Sequence, residues 1–153
     1  MVRMSDLPES TAASLRSLEL PVFDDTPWVE APPLQEARVA LVSTAGLHLP
    51  SDAIFRSGSG DYRVIPGDAD TRQLVMSHAS VNFDRSGFQQ DVNVVFPLDR
   101  LCEFEKEGQV GSVARWHYSF MGATDPARME ATGPEVGRLL QADGVTAALL
   151  IPV

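Results

Sequence analysis

The sequence predicts an α/β domain with a parallel-rich sheet flanked by helices. Residues 39–42 and 145–151 are continuous apolar runs, which is typical of strands covered on both faces of a parallel sheet. In the second half of the chain, strand and helix patterns alternate, as in units with right-handed crossovers. The 153 residues, 44% of them hydrophobic, suffice for one domain with its own core.

The elements can be predicted in chain order from residue 38. Residues 1–37 form a proline-rich arm with at most a short helix over 10–20, and residues 38–153 form the α/β domain. The first strand ends in small residues and leads into a long loop, in which the glycine-rich stretch 57–60 is interpreted as a flexible loop over a site. Further strands are predicted over 62–65, 74–76 and 112–120, and 92–96 is a strand or an extended lead-in.

Two helices follow from their end signals. Pro97 at a first helical position and Gly108 as a left-handed cap predict a helix over 97–107. Residues 132–135 have the spacing of a capping box, and Gly144 ends the helix that they begin. After the last strand the chain stops at Val153, where a ligand site is expected in such a sheet. Truncation, which leaves the domain incomplete at its C-terminus, and a terminal edge strand are the two explanations.

The composition restricts the function classes. The formal net charge of −9 argues against nucleic acid and anionic membranes as partners, since both bind basic surfaces. No apolar run approaches the roughly 20 residues that cross a bilayer, and the N-terminus lacks a signal-peptide pattern, so we expect a cytoplasmic protein. The single cysteine, Cys102, allows no internal disulfide, and its place on an apolar helix face favours a buried, inert thiol.

Three histidines share a type of position. His48, His78 and His117 each follow or end a predicted strand, so in a parallel sheet all three can face one crevice. An imidazole there can act as a general base or orient a carboxylate, and the alternative is a locally bonded structural role. Such wide separations do not predict a zinc site, and we assign no metal. Asp84 can orient the His78 imidazole, and the alternative role for Asp84 is to form an Asx turn or cap a helix.

Six segments carry a family resemblance when taken in order. They are 39–48 (VALVSTAGLH), 61–66 (DYRVIP), 77–78 (SH), 95–101 (VFPLDRL), 108–113 (GQVGSV) and 117–122 (HYSFMG). Together they resemble the selenoprotein B family of glycine, sarcosine, betaine and D-proline reductases, over a match from about residue 38 to the chain end.

The resemblance implies reductive cleavage of a carbon–nitrogen bond in a small amino acid or amine. It places a selenocysteine or cysteine just past Val153, so this chain lacks the expected nucleophile and truncation at a UGA codon is favoured. Cys102 does not match that position. The resemblance also implies a pyruvoyl group on a partner subunit, which captures the substrate amine, and a dithiol donor of the thioredoxin type. The chain itself is expected to hold no cofactor, and His48, His78 and His117 are expected to stabilise the selenolate or manage protons.

A non-catalytic binding or interaction domain that kept the fold without the nucleophile is the alternative function. The codon after Val153 discriminates between the two. An in-frame UGA followed by coding sequence for a helix supports the reductase, and another stop codon with nothing beyond supports the interaction domain. If the chain is truncated, apolar surface beside the last strand is expected to be uncovered.

Overall fold

A computed structural model describes residues 3–17, 19, 22, 24, 29–80 and 85–153. Four α-helices and seven strands occur in these ranges. They are α1 (Glu9–Arg16), β1 (Arg38–Ser43), β2 (Leu47–His48), β3 (Tyr62–Pro66), β4 (Val75–Met76), α2 (Ser86–Gln90), α3 (Leu98–Lys106), β5 (Ser112–Val113), β6 (Trp116–Phe120), α4 (Thr132–Ala142) and β7 (Ala147–Ile151). Short 3-10 turns lie at Met4–Asp6, Leu34–Glu36, Thr71–Gln73, Val92–Val94 and Pro126–Met129.

The strand β1 is the centre of the main sheet. It runs parallel to β7 over its length, and on its other edge it pairs in parallel first with β5 and then with β6. The strand β3 is antiparallel to β6, and β2 and β4 form a separate antiparallel pair. Ala40 and Leu41 are fully buried, as expected for a central strand covered on both faces. The predicted α/β class with a parallel-rich sheet is therefore confirmed.

The unbroken apolarity of 145–151, like that of 39–42, predicts an inner strand, but β7 lies at an edge, so this prediction is wrong for this chain. Among the strands that the structure describes, β7 pairs with β1 alone. Leu149 and Leu150 are 48% and 69% exposed, which leaves apolar surface uncovered beside β7. A continuous apolar run indicates that a strand has apolar neighbours on its faces, but it does not specify whether both strand edges are paired.

The single strand predicted over 112–120 is interrupted between β5 and β6. The interruption is held by Asp143, at the end of α4, whose carboxylate accepts hydrogen bonds from Arg115 N (2.7 Å) and Trp116 N (3.1 Å). The same carboxylate pairs with the Arg38 guanidinium at 2.7 Å. Burial raises the pKa of Asp143, but the bonds from Arg38 and the two amides outweigh burial and lower it. One half-buried carboxylate thus joins α4 to the starts of β1 and β6.

The predicted helix over 97–107 is confirmed as α3. Pro97 precedes its first residue, Leu98 and Leu101 are buried, and Gly108 has the left-handed φ of 70° that its cap position requires. The helix α4 also forms, but the capping box is wrong. Thr132 is the first helical residue rather than the cap, and its hydroxyl donates to Gly60 O at 2.6 Å.

The glycine-rich stretch 57–60 is held by hydrogen bonds from Arg128 and Thr132, so its interpretation as a flexible loop over a site is wrong. Arg128 Nη1 donates to Gly58 O at 3.0 Å, and Thr132 bonds Gly60 from the start of α4. A Cβ on Gly60 would lie 1.9 Å from Arg128 O. Glycine is needed here for close approach of two main chains rather than for mobility.

Candidate functional site

The candidate site lies at the carboxyl end of β1, where the segments that follow β1, β4 and β6 meet. Gly46 N donates to Phe120 O (2.8 Å), Ser77 N donates to Gly46 O (2.9 Å), and Gly122 N donates to Thr44 O (2.7 Å). These bonds join the segment after β1 to the segments after β4 and β6. Carboxyl ends of parallel strands are where open α/β sheets bind ligands.

Two glycines let the segments approach this closely. Gly46 has a φ of +67°, and a Cβ there would lie 3.1 Å from Met121 Cε and 3.2 Å from His78 N. A Cβ on Gly122 would lie 2.4 Å from Val153 O. Any larger residue at position 122 would therefore displace the chain where it leaves β7.

His78 lies beside the point where the chain leaves β7. Its side chain is buried, and its Nδ1 accepts a hydrogen bond from Ser80 N at 3.2 Å. Burial lowers the pKa of His78, a hydrogen bond to the Val153 main chain opposes this, and the charge of Arg85 lowers the pKa further. The ring is therefore a neutral imidazole at neutral pH, next to Val153.

His48 uses both ring nitrogens within the fold. Nδ1 lies 2.8 Å from Leu49 O and Nε2 lies 2.8 Å from Ser77 Oγ. Because a carbonyl only accepts, Nδ1 carries the proton and Nε2 accepts from the Ser77 hydroxyl. His48 thus fixes the segment that carries His78, and the structure brings these two histidines to the same end of β1.

His117 occupies a different place, inside the sheet. Its ring is fully buried, and Nδ1 accepts the main-chain N–H of Leu41 at 2.9 Å. The pairing partner of β1 changes here from β5 to β6, and the imidazole takes the place of a main-chain carbonyl as the acceptor. The ring also packs edge-on against Phe96. Burial lowers its pKa to about 4. The structure does not bring His117 to the end of β1, where His48 and His78 meet.

The remaining candidates lie elsewhere. Asp84 lies outside the described residues, so its pairing with a histidine stays a prediction. Cys102 is half-buried on α3, where burial raises its thiol pKa. Within the described ranges, no three His, Cys, Asp or Glu side chains are grouped to hold a metal ion, and no helix is long and apolar enough to span a membrane.

Two polar side chains of the site, Thr44 and Ser77, were not predicted from the sequence. Ser77 bonds His48, and Thr44 bonds the main chain of Val153 through Oγ1, at 2.8 Å to N and 3.3 Å to O. For Thr44 the available signal was the run of small residues after β1, which we interpreted only as the lead into a long loop. A hydroxyl within such a run can also bond neighbouring main chains.

Comparison with known families gives a match over most of the chain. The family model for glycine/sarcosine/betaine reductase selenoprotein B matches residues 14–152. The chain belongs to this family. No solved structure matches it.

Several proteins named as reductase subunits are similar to this chain. The D-proline reductase subunit gamma of Acetoanaerobium sticklandii is 35% identical over 96% of the chain and 61% of its own length. The glycine reductase complex component B subunit gamma of Carboxydothermus hydrogenoformans is 32% identical over 87% of the chain and 32% of its own length. The sarcosine reductase complex component B subunit beta of Peptoclostridium acidaminophilum is 28% identical over 86% of the chain and 31% of its own length. The chain thus spans about three fifths of the first relative and a third of the others.

Proposed function

We propose that this chain is the part of a reductase subunit that presents a selenocysteine or cysteine at the exit of β7. The reaction is the reductive cleavage of a carbon–nitrogen bond in a small amino acid or amine. The observation that carries the proposal is the family match through residue 152, together with the position of Val153 between Thr44, Gly122 and His78.

The net chemistry can be written in balanced form. The carbon–nitrogen bond breaks, one C–H and one N–H bond form, and a dithiol supplies two electrons and two hydrogens as it becomes a disulfide. The selenolate or thiolate supplies a soft nucleophile that is ionised near neutral pH. A pyruvoyl group on a partner subunit is proposed to capture the substrate amine. We further propose a cytoplasmic location, since dithiol donors are kept reduced there.

The residues of this chain suit a site for such a nucleophile. The buried His78 ring lies next to the Val153 main chain, and in its neutral form it can accept a proton from the nucleophile and become an imidazolium beside the anion that this leaves. His48 holds the neighbouring Ser77 and so fixes the segment that carries His78. We assign His78 to proton transfer and His48 to positioning, and we give His117 no direct role because it bonds Leu41 within the sheet.

The test uses a chain that carries cysteine directly after Val153, followed by whatever the gene encodes beyond that codon. It is assayed with the pyruvoyl-containing partner subunit and a dithiol, and amine release is measured. The matched control carries serine in place of that cysteine. We expect dithiol-dependent amine release from the cysteine chain and none from the serine chain. Equal release from both, or none from either in an assembled complex, contradicts the proposal.

One observation favours the alternative of a non-catalytic interaction domain. Within the described part of the chain, β7 pairs on one edge only and exposes Leu149 and Leu150. Unpaired strand edges with apolar side chains are typical places for a second chain to add a strand. This function requires that the 153-residue chain bind a reductase subunit tightly, and that no nucleophile be encoded after Val153.

A further inference from the structure

The hydrogen-bond ladder between β1 and β7 changes its pattern at Thr44. Thr44 N donates to Ile151 O at 3.0 Å, as a parallel ladder requires, and the next rung would run from Val153 N to Thr44 O. Instead, Thr44 O accepts from Gly122 N at 2.7 Å. Val153 N donates to Thr44 Oγ1 at 2.8 Å. A side-chain hydroxyl thus replaces a main-chain carbonyl at the last rung before the chain leaves β7.

This exchange lets Thr44 bond two neighbours at once. Its carbonyl bonds the segment after β6, and its hydroxyl bonds the segment after β7. On the other side, Gly122 leaves so little space that an added Cβ would lie 2.4 Å from Val153 O. Val153 is therefore confined between the Thr44 hydroxyl, just after β1, and the main chain after β6. A side chain with a β-hydroxyl, threonine or serine, can bond Val153 N in this way.

We propose that Thr44 is a positioning residue whose hydroxyl sets the direction in which the chain leaves β7. It thereby sets where the residue after Val153 lies relative to His78. The inference rests on the proposed function only in taking that next residue as the nucleophile. The contacts that Thr44 and Gly122 make with Val153, which we call the clamp, are a property of the 153-residue chain.

The first test measures amide hydrogen exchange at Val153 in the 153-residue chain. Thr44→Val removes the hydroxyl while keeping the shape, and Thr44→Ser keeps the hydroxyl. Thr146→Val is the matched control, because Thr146 Oγ1 accepts from Arg38 N at 3.0 Å at the opposite end of the same ladder. Loss of one hydrogen bond predicts about fivefold faster exchange at Val153 in Thr44→Val. Thr44→Ser and Thr146→Val are expected to keep wild-type exchange there, and equal exchange at Val153 in all four chains overturns the proposal.

The second test follows the thiol of a chain that carries cysteine after Val153. The rate of alkylation by iodoacetamide is measured against pH in the same four backgrounds. We expect Thr44→Val to change the apparent thiol pKa from its wild-type value, while Thr44→Ser and Thr146→Val keep the wild-type profile. An unchanged profile in Thr44→Val overturns the positioning role. A Thr44-dependent profile without dithiol-dependent amine release from any chain supports the clamp and rejects the proposed function.

Discussion

Acid is expected to destabilise this fold through one buried histidine, His117. In the folded chain, His117 Nδ1 accepts the Leu41 N–H, so the ring is neutral with its proton on Nε2. Nε2 has no hydrogen-bond partner among the residues that the structure describes. A second proton on the ring would break the bond to Leu41 and leave a charge in the core. Burial accordingly lowers the pKa of His117 from 6.5 to about 4.

The sign and size of the change in stability with pH follow from the difference between the His117 pKa values of the unfolded and folded chains. Between pH 6.5 and about pH 4, His117 is protonated in the unfolded chain but stays neutral in the folded chain. The free energy of unfolding therefore falls as the pH falls through this range. At about 1.4 kcal/mol for each pH unit, the loss reaches about 3 kcal/mol, a large part of the roughly 5–15 kcal/mol of a typical domain.

The assay is urea unfolding between pH 7 and pH 4, followed by circular dichroism, for the wild type and His117→Asn. Asparagine offers a carbonyl oxygen near the position of Nδ1 but does not titrate in this range. We expect the pH-dependent loss of stability to shrink by about 3 kcal/mol in His117→Asn. His78 and Asp143, whose pKa values are also lowered, contribute to the pH dependence that remains. Parallel pH profiles for the two chains would refute the reasoning.

Three further predictions concern stability and association. Asp143→Ala removes the acceptor of three hydrogen bonds and is expected to lower the free energy of unfolding in urea by about 2–4 kcal/mol. The control Glu9→Gln, at an exposed ion pair, is expected to change it by less than about 0.5 kcal/mol. Gly60→Ala places a Cβ 1.9 Å from a main-chain oxygen and is expected to lower stability by about 2 kcal/mol or more, measured in the same way. Leu150→Glu is expected to reduce self-association in sedimentation velocity without lowering the melting temperature, and the equally polar change Val22→Glu on the arm leaves association unaltered. Unchanged association in Leu150→Glu would show that the β7 edge does not drive it.

The sequence predicted those elements whose signals are local. Pro97 and Gly108 bound α3 because each acts through its own backbone conformation. The strand β1 was predicted because a central strand is apolar on both faces. The position of β7 at an edge was not predictable, because strand pairing depends on residues far away in the chain.

The errors have a common physical cause in long-range polar bonds. Asp143 interrupts the strand predicted over 112–120 by bonding main-chain amides from 27 and 28 residues away. His117 was grouped with His48 and His78 because each lies near a strand end, but its ring fills a gap between β1 and β6. Thr44 was missed because its role depends on the arrival of Val153, 109 residues later. No periodicity or spacing within the sequence encodes such meetings.

The most direct test of the central claim is the nucleotide sequence that follows the codon for Val153. The claim is that the chain leaves β7 into a residue that serves as the nucleophile of a reductase. It predicts an in-frame UGA or a cysteine codon directly after Val153, followed by further coding sequence. A different codon there, or a stop codon with no coding sequence beyond it, would contradict the claim and favour the interaction domain.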